Sequence, residues 1–310
     1  MKRLALLLLC AALIACGVQT PQGVDAQPDP SPTPTVQPVG EDLIAHATPA
    51  ATDAPVWTEA PTEPPAPTPD PTPEPTPEPE RIDEQRLSSG EFDSYFDDAV
   101  FVGDSITHSF KNYVTAKRMT EGYCLGDATF LGVINMSALR AARNKVSTDG
   151  IDFRFRGKTL CFSDAIRETG ARKVILLLGV NELEWCRWDD ETAAFQKLIE
   201  LIRSVEPDAE IVIHAVLPIT ERYCKRNKLD IGKWNSYNDV LQTLCEENGV
   251  TFLSFAEQLM DENGYLDEAF SSDRQYHLNG AGNDIWIHTL RAYAARQTYP
   301  NAVFETWEGD

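Results

Sequence analysis

Proline decides where this chain can build a core, because 18 of its 21 prolines lie in residues 17–80. Proline fixes φ and has no N–H to donate, so such a stretch can neither continue a helix nor join a central strand. Its densest part, PPAPTPDPTPEPTPEPE over residues 64–80, alternates proline with Thr, Asp and Glu. That pattern predicts an extended, polyproline-like spacer stiffened by repelling carboxylates, and at ~3 Å per residue this part alone spans about 50 Å. PxxP motifs are unavoidable in such a composition, so the stretch reads as a stalk rather than as a ligand for a proline-binding domain. The expected organisation is a leader over residues 1–16, a Pro/Thr/acidic disordered linker over 17–88 and one folded domain over 89–310.

The leader carries an address. Lys2 and Arg3 precede an apolar run over residues 4–14 that is too short to span a bilayer. The run ends Leu13-Ile14-Ala15-Cys16-Gly17, which resembles a bacterial lipobox, in which the cysteine is diacylated and becomes the new N-terminus. Two acyl chains suffice for stable anchoring. Cys16 is therefore the expected lipidation site, and the domain is expected at the outer face of the cell membrane, reaching into or beyond the wall. The formal net charge of −21 argues against nucleic acid and against electrostatic adhesion to anionic lipid. Five cysteines (Cys124, Cys161, Cys186, Cys224 and Cys245) remain in the domain. None forms a CxxC pair, so no metal site is expected.

From Phe92 onward, apolar runs alternate with helical patterns. Strands are expected over residues 99–102, 128–134, 173–179 (KVILLLG), 210–217 (EIVIHAVL, stopped by Pro218) and 250–255. Helices are expected over 160–169, 190–205, 234–248 (stopped by Gly249) and 280–299. Such alternation predicts a three-layer α/β/α, doubly wound domain with a five-stranded, mostly parallel sheet and the third strand central. These folds bind ligands beyond the carboxyl ends of their strands. Function is thus expected at residues 103–107, 132–137 and 179–182, and in a loop late in the chain.

Polar residues cluster at those places. Phe101-Val102-Gly103-Asp104-Ser105-Ile106-Thr107 runs from a strand into a helix, putting a serine hydroxyl beside the free N–H groups of a helix start. Alternatively, Asp104 or Ser105 is only a helix cap. A serine needs a base to act as a nucleophile near neutral pH. Of the five histidines, His46 lies in the stalk, His108 on the helix after Ser105, His214 in a strand pattern and His288 inside the last helix. His277 sits in a polar loop, Ser272-Asp273-Arg274-Gln275-Tyr276-His277-Leu278-Asn279-Gly280, where Asp273 could orient its ring.

GDSIT after a strand, GVNE after a central strand and a late Asp/His loop before the final helix together resemble the SGNH (GDSL-like) hydrolase family, over about 220 residues. The resemblance implies Ser105 as nucleophile, His277 as base and Asp273 as the supporting acid. It also implies an oxyanion hole from the Ser105 N–H, a glycine N–H, assigned to Gly132, and the Asn181 side-chain amide. No cofactor or metal is implied. The chain departs from the pattern in three places: GDSI replaces GDSL, Glu182 replaces Asp, and Asp273 precedes His277 by four residues instead of three. If Asp273 falls short, a Ser–His dyad or Glu268 would serve.

The resemblance implies an ester substrate. The anchor and stalk favour an acyl, above all acetyl, group on cell-wall or extracellular carbohydrate, with Trp185, Trp188 and Tyr276 either stacking on sugar or merely packing. Alternatives are a lipid or lysophospholipid esterase, a sugar O-acyltransferase and a non-catalytic wall-binding lipoprotein.

Overall fold

The computed structural model describes residues 79–305. The leader with Cys16, residues 17–78 of the stalk, His46 and the last five residues lie outside the described residues. In chain order the elements are β1 (Arg81–Ile82), α1 (Glu84–Ser88), β2 (Ala99–Gly103), α2 (Ser105–Glu121), β3 (Thr129–Gly132), α3 (Ala138–Ala141), β4 (Phe153–Phe155), β5 (Lys158–Leu160), α4 (Phe162–Thr169), β6 (Lys173–Leu177), α5 (Trp188–Val205), β7 (Glu210–His214), α6 (Glu221–Asn227), α7 (Ile231–Asn248), β8 (Thr251–Leu253), α8 (Gly280–Thr298) and β9 (Val303–Phe304).

Five strands form one sheet in the order β3-β2-β6-β7-β8, and every pairing is parallel. The expected three-layer, doubly wound sheet is what the chain adopts. β6 is its centre, consistent with four buried residues in succession after Lys173. Helices α2 and α8 cover one face; α4, α5 and α7 belong to the other layer. The strand order reverses between β2 and β6, and folds of this type hold their ligand in the crevice at that reversal. Ser105 follows β2 and Asn181 follows β6, so both stand at it.

One aromatic stack fixes the two helices that matter most for the site. Phe110 of α2 lies on Trp286 of α8 with ring centroids 3.8 Å apart, and Phe255 covers the other side at 5.3 Å. All three side chains are fully buried. Such pairs contribute ~1 kcal/mol each beyond area burial. They hold the start of α2, with Ser105, against the start of α8, which directly follows the His277 loop.

Residues 81–88, counted with the linker on sequence, are part of the folded unit. β1 pairs with β9 in parallel, and Ile82 and Leu87 are buried. The α8 residue Arg291 ties the next segment down with a two-pronged ion pair to buried Asp93, both contacts at 2.8 Å. The five cysteines are free thiols, four of them buried.

Candidate active site

The serine is placed by a tight strand-to-helix exit. Asp104 caps α2, its Oδ1 accepting from the Ile106 N–H at 2.8 Å. Glycine is required at 103: a Cβ there would lie 2.2 Å from Thr107 Oγ1 and 2.4 Å from the Leu177 carbonyl of the neighbouring strand. The turn leaves the Ser105 N–H at the first helical position, where no intrahelical acceptor exists.

The histidine is placed by a closed loop. Asn279 N–H donates to the Phe270 carbonyl at 2.8 Å and Ser272 N–H to the His277 carbonyl at 2.9 Å, while Asn279 Oδ1 caps α8 through Gly282 N–H. The loop brings His277 to both partners. Nε2 lies 2.9 Å from Ser105 Oγ, and Nδ1 lies 2.6 Å from Asp273 Oδ2. The extra residue between Asp273 and His277 is absorbed by a left-handed Arg274, at φ 57°. Glu268, the alternative acid, faces Arg274 at 3.7 Å instead.

Electrostatics fix the protonation pattern. Burial alone would push the Asp273 carboxyl up, but bonds from the His277 ring, Gln275 N–H and His277 N–H outweigh it and hold it below the usual carboxylate range. An ionised carboxylate only accepts hydrogen bonds, so Nδ1 carries the ring proton and Nε2 presents a lone pair to the Ser105 hydroxyl. His214 shows the opposite environment. It is fully buried, its Nε2 accepts from the Trp286 indole N–H at 3.1 Å, and burial pushes it down to about 3, leaving it neutral. His288 meets Glu84 at 2.9 Å. His108 lines the cleft with Ser105.

The expected oxyanion donors are not all brought together. Gly132 ends β3, where Val133 N–H donates to the Gly103 carbonyl. Successive strand N–H groups point to opposite sides, so that of Gly132 is directed away from β2 and Ser105. Gly132 lines a neighbouring depression, and the reason for glycine is close packing: a Cβ would sit 2.5 Å from the His108 backbone nitrogen. Two residues of that loop, Ile134 and Asn135, do line the cleft; Asn135 is in the left-handed region at φ 58°, with a backbone N–H that has no partner among the described residues. An asparagine just past a strand end was the only signal for it in the sequence.

Asn181 stands beside the serine turn, but both its amide hydrogens have acceptors: Asp104 Oδ2 at 3.1 Å and the Met136 carbonyl at 2.9 Å. Burial pushes the Asp104 carboxyl up to about 7, against the Ile106 N–H bond. Next to Asn181, the buried Glu182 accepts from Ala138 N–H and so ties the loop after β6 to the loop after β3. Of the three aromatic candidates, Tyr276 lines the cleft with its ring 4.7 Å from that of His277. Trp185 is 67% exposed, its indole donating to the Asn181 carbonyl, whereas Trp188 packs on Tyr237.

A serine at a strand-to-helix turn, an imidazole on its hydroxyl and a carboxylate on the imidazole form an arrangement suited to acyl transfer. A family model described as GDSL-like lipase/acylhydrolase matches residues 101–285, more than half of the chain. The chain belongs to that family. Among solved structures, a candidate acylhydrolase from Bacteroides fragilis is 15% identical, covers 69% of this chain and 95% of its own, and superposes with a TM-score of 0.50. A GDSL-like lipase from Bacteroides thetaiotaomicron is 17% identical over 64% of this chain and 88% of its own, with a TM-score of 0.48. A carbohydrate esterase of family 3 from Talaromyces cellulolyticus is 12% identical over 66% of this chain and 99% of its own, with a TM-score of 0.41. At such identities the Bacteroides fragilis likeness speaks to the fold alone. No curated protein sequence matched the chain.

Proposed function

We propose that this GDSL-family domain is a serine esterase that removes short acyl groups, acetyl first, from cell-wall or extracellular carbohydrate. The observation that carries the reading is the unbroken series Ser105 Oγ to His277 Nε2 at 2.9 Å and His277 Nδ1 to Asp273 at 2.6 Å. Ser105 attacks the ester carbonyl while its proton passes to Nε2, and Asp273 stabilises the imidazolium that forms. The oxyanion is received by the Ser105 and Asn135 backbone N–H groups. Asn181 joins them by turning one amide hydrogen from Asp104 to the oxyanion. Losing one such donor costs about 3 kcal/mol of transition-state stabilisation. His277 then protonates the leaving alcohol, and water, activated by the same imidazole, releases the acyl group.

Two features favour a short acyl group on a bulky alcohol. The cleft at Ser105, about 380 Å³, is open, and Ser109, Ser272 and Asp273 share its lining with Ile134 and Tyr276. A long acyl chain would want an enclosed apolar pocket. The cleft also continues past His108 and Ile134 into a second depression of about 410 Å³ with Lys111 and Arg154 on its walls. That provides room for a chain of sugars beyond the ester. The lipobox-like Cys16 and the proline stalk put such a domain within reach of wall polysaccharide.

The test is turnover of p-nitrophenyl acetate, followed by mass spectrometry of acetylated wall glycan before and after incubation. Turnover that vanishes in Ser105→Ala supports the esterase. Absent turnover supports a wall-binding lipoprotein, and acylated product on an added sugar acceptor supports a transferase.

A further inference from the structure

The His277 loop does not hold its shape alone. Thr220, the cap residue directly before α6 and fully buried, makes two bonds to the stretch between Asp273 and His277. Its N–H donates to the Gln275 carbonyl at 2.8 Å, and its hydroxyl donates to the Arg274 carbonyl at 2.8 Å. These are the carbonyls of the left-handed residue and of the one after it, at the very point where the loop carries one residue more than the family spacing. The same hydroxyl accepts from Tyr223 N–H at 3.2 Å and so caps α6.

Helix α6 extends the grip. The Tyr223 ring meets the Tyr276 ring edge-on at 5.2 Å, and Arg226 donates to the Gln275 side chain at 2.8 Å. The Tyr223 hydroxyl also donates to Glu184, on the loop that carries Asn181.

We propose that Thr220 is a positioning residue: by holding the Arg274 and Gln275 carbonyls it fixes the five-residue Asp273–His277 turn so that the imidazole meets the carboxylate and Ser105 together. The proposal rests on the esterase reading for its kinetic consequence, but its structural consequence is independent of turnover. Thr220 touches no reacting atom. It acts through the loop, and a misplacement of the imidazole by a fraction of an ångström is felt in the chemical step rather than in binding.

Thr220→Val keeps the shape and the N–H bond but loses the hydroxyl; Thr220→Ser restores it. Should the valine protein fail to melt cooperatively, Thr220→Ala, which only removes atoms, takes its place. With p-nitrophenyl acetate, the valine variant is expected to lose roughly ten- to a hundredfold in kcat, with KM within about twofold. The serine variant should stay within about threefold of the parent on the scale of a retained hydrogen bond.

The low-field proton resonance of His277 Nδ1–H reports the Asp273 bond whether or not ester is cleaved. It should be retained in the serine variant and broadened or lost in the valine variant. A folded valine or alanine variant with unchanged kcat and an unchanged resonance overturns the proposal, and so does a serine variant damaged as badly as the valine one. If the parent itself neither turns over ester nor reacts with a fluorophosphonate, the esterase reading falls, while the resonance still decides the role of Thr220.

Discussion

Asp273 and the buried pair Glu182–Glu191 are carboxylates whose surroundings drive them in opposite directions. Asp273 is about one-quarter exposed, with an imidazole and two backbone N–H groups turned towards it, and is held below the usual range. Glu182 and Glu191 are fully buried, and burial raises both; the charge of Glu182 raises Glu191 further. The two carboxyls hydrogen-bond each other, which requires one of them to supply a proton. The pair therefore keeps a proton at neutral pH. A carboxylate in reach of donors is kept charged for chemistry; one walled into apolar packing is kept neutral and serves as scaffold.

The contrast can be broken most severely at Asp273. Asp273→Asn keeps the size but offers an amide where the ring needs an acceptor, so kcat with p-nitrophenyl acetate at pH 7 should fall about 10³- to 10⁴-fold. A loss below tenfold would mean a Ser–His dyad suffices. Next comes Glu182→Ala. It leaves the buried Ala138 N–H without its acceptor, which should cost about 1–3 kcal/mol in urea unfolding and loosen the Asn135 and Asn181 loops together. An unchanged midpoint would remove Glu182 as the tie between them.

The pH dependence separates the two regions by sign. A carboxyl raised on folding binds more protons in the folded state, so its share of stability is present at low pH and is lost as pH rises from the unfolded carboxylate range through the folded value. Asp104, raised to about 7, and the glutamate pair act in this direction. Asp273, lowered on folding, acts oppositely: its share is present above the unfolded carboxylate range and is lost as pH falls through the depressed value. Glu191→Gln should flatten the fall in Tm between pH 5 and pH 9, raising the alkaline Tm by roughly 3 °C. An unaltered slope would show that the pair does not titrate there. The smallest effect belongs to Trp185→Ala, expected to leave stability within about 0.5 kcal/mol while lowering kcat/KM severalfold on acetylated glycan but not on p-nitrophenyl acetate. Equal effects on both substrates would deny the indole a part in binding sugar.

The features legible in the sequence are those written in local patterns. Five apolar runs gave the strands and their type, because a parallel sheet covered on both faces needs near-continuous Val, Ile and Leu. β1 and β9, two residues each, had no pattern to read and exist only through their mutual pairing. The small β4–β5 hairpin left equally little trace. At the site, Ser105 stood out by its place in GDS at a strand-to-helix exit, and His277 and Asp273 by sharing one polar loop before the last helix. Whether Asp273 reaches His277 was not legible: it depends on a left-handed Arg274 and on Thr220, 54 residues away from it in sequence. Gly132 attracted the oxyanion role by residue type, and only the ladder direction shows its N–H facing away. Glu191 lies in the acidic start of α5, and only the tertiary fold shows it buried.

The whole reading stands on the reactivity of one hydroxyl. Treating the protein with a fluorophosphonate and mapping the adduct by peptide mass spectrometry should give a single label on Ser105, absent once His277 is changed to alanine. No adduct, or a label on another serine with esterase turnover intact in Ser105→Ala, would contradict it.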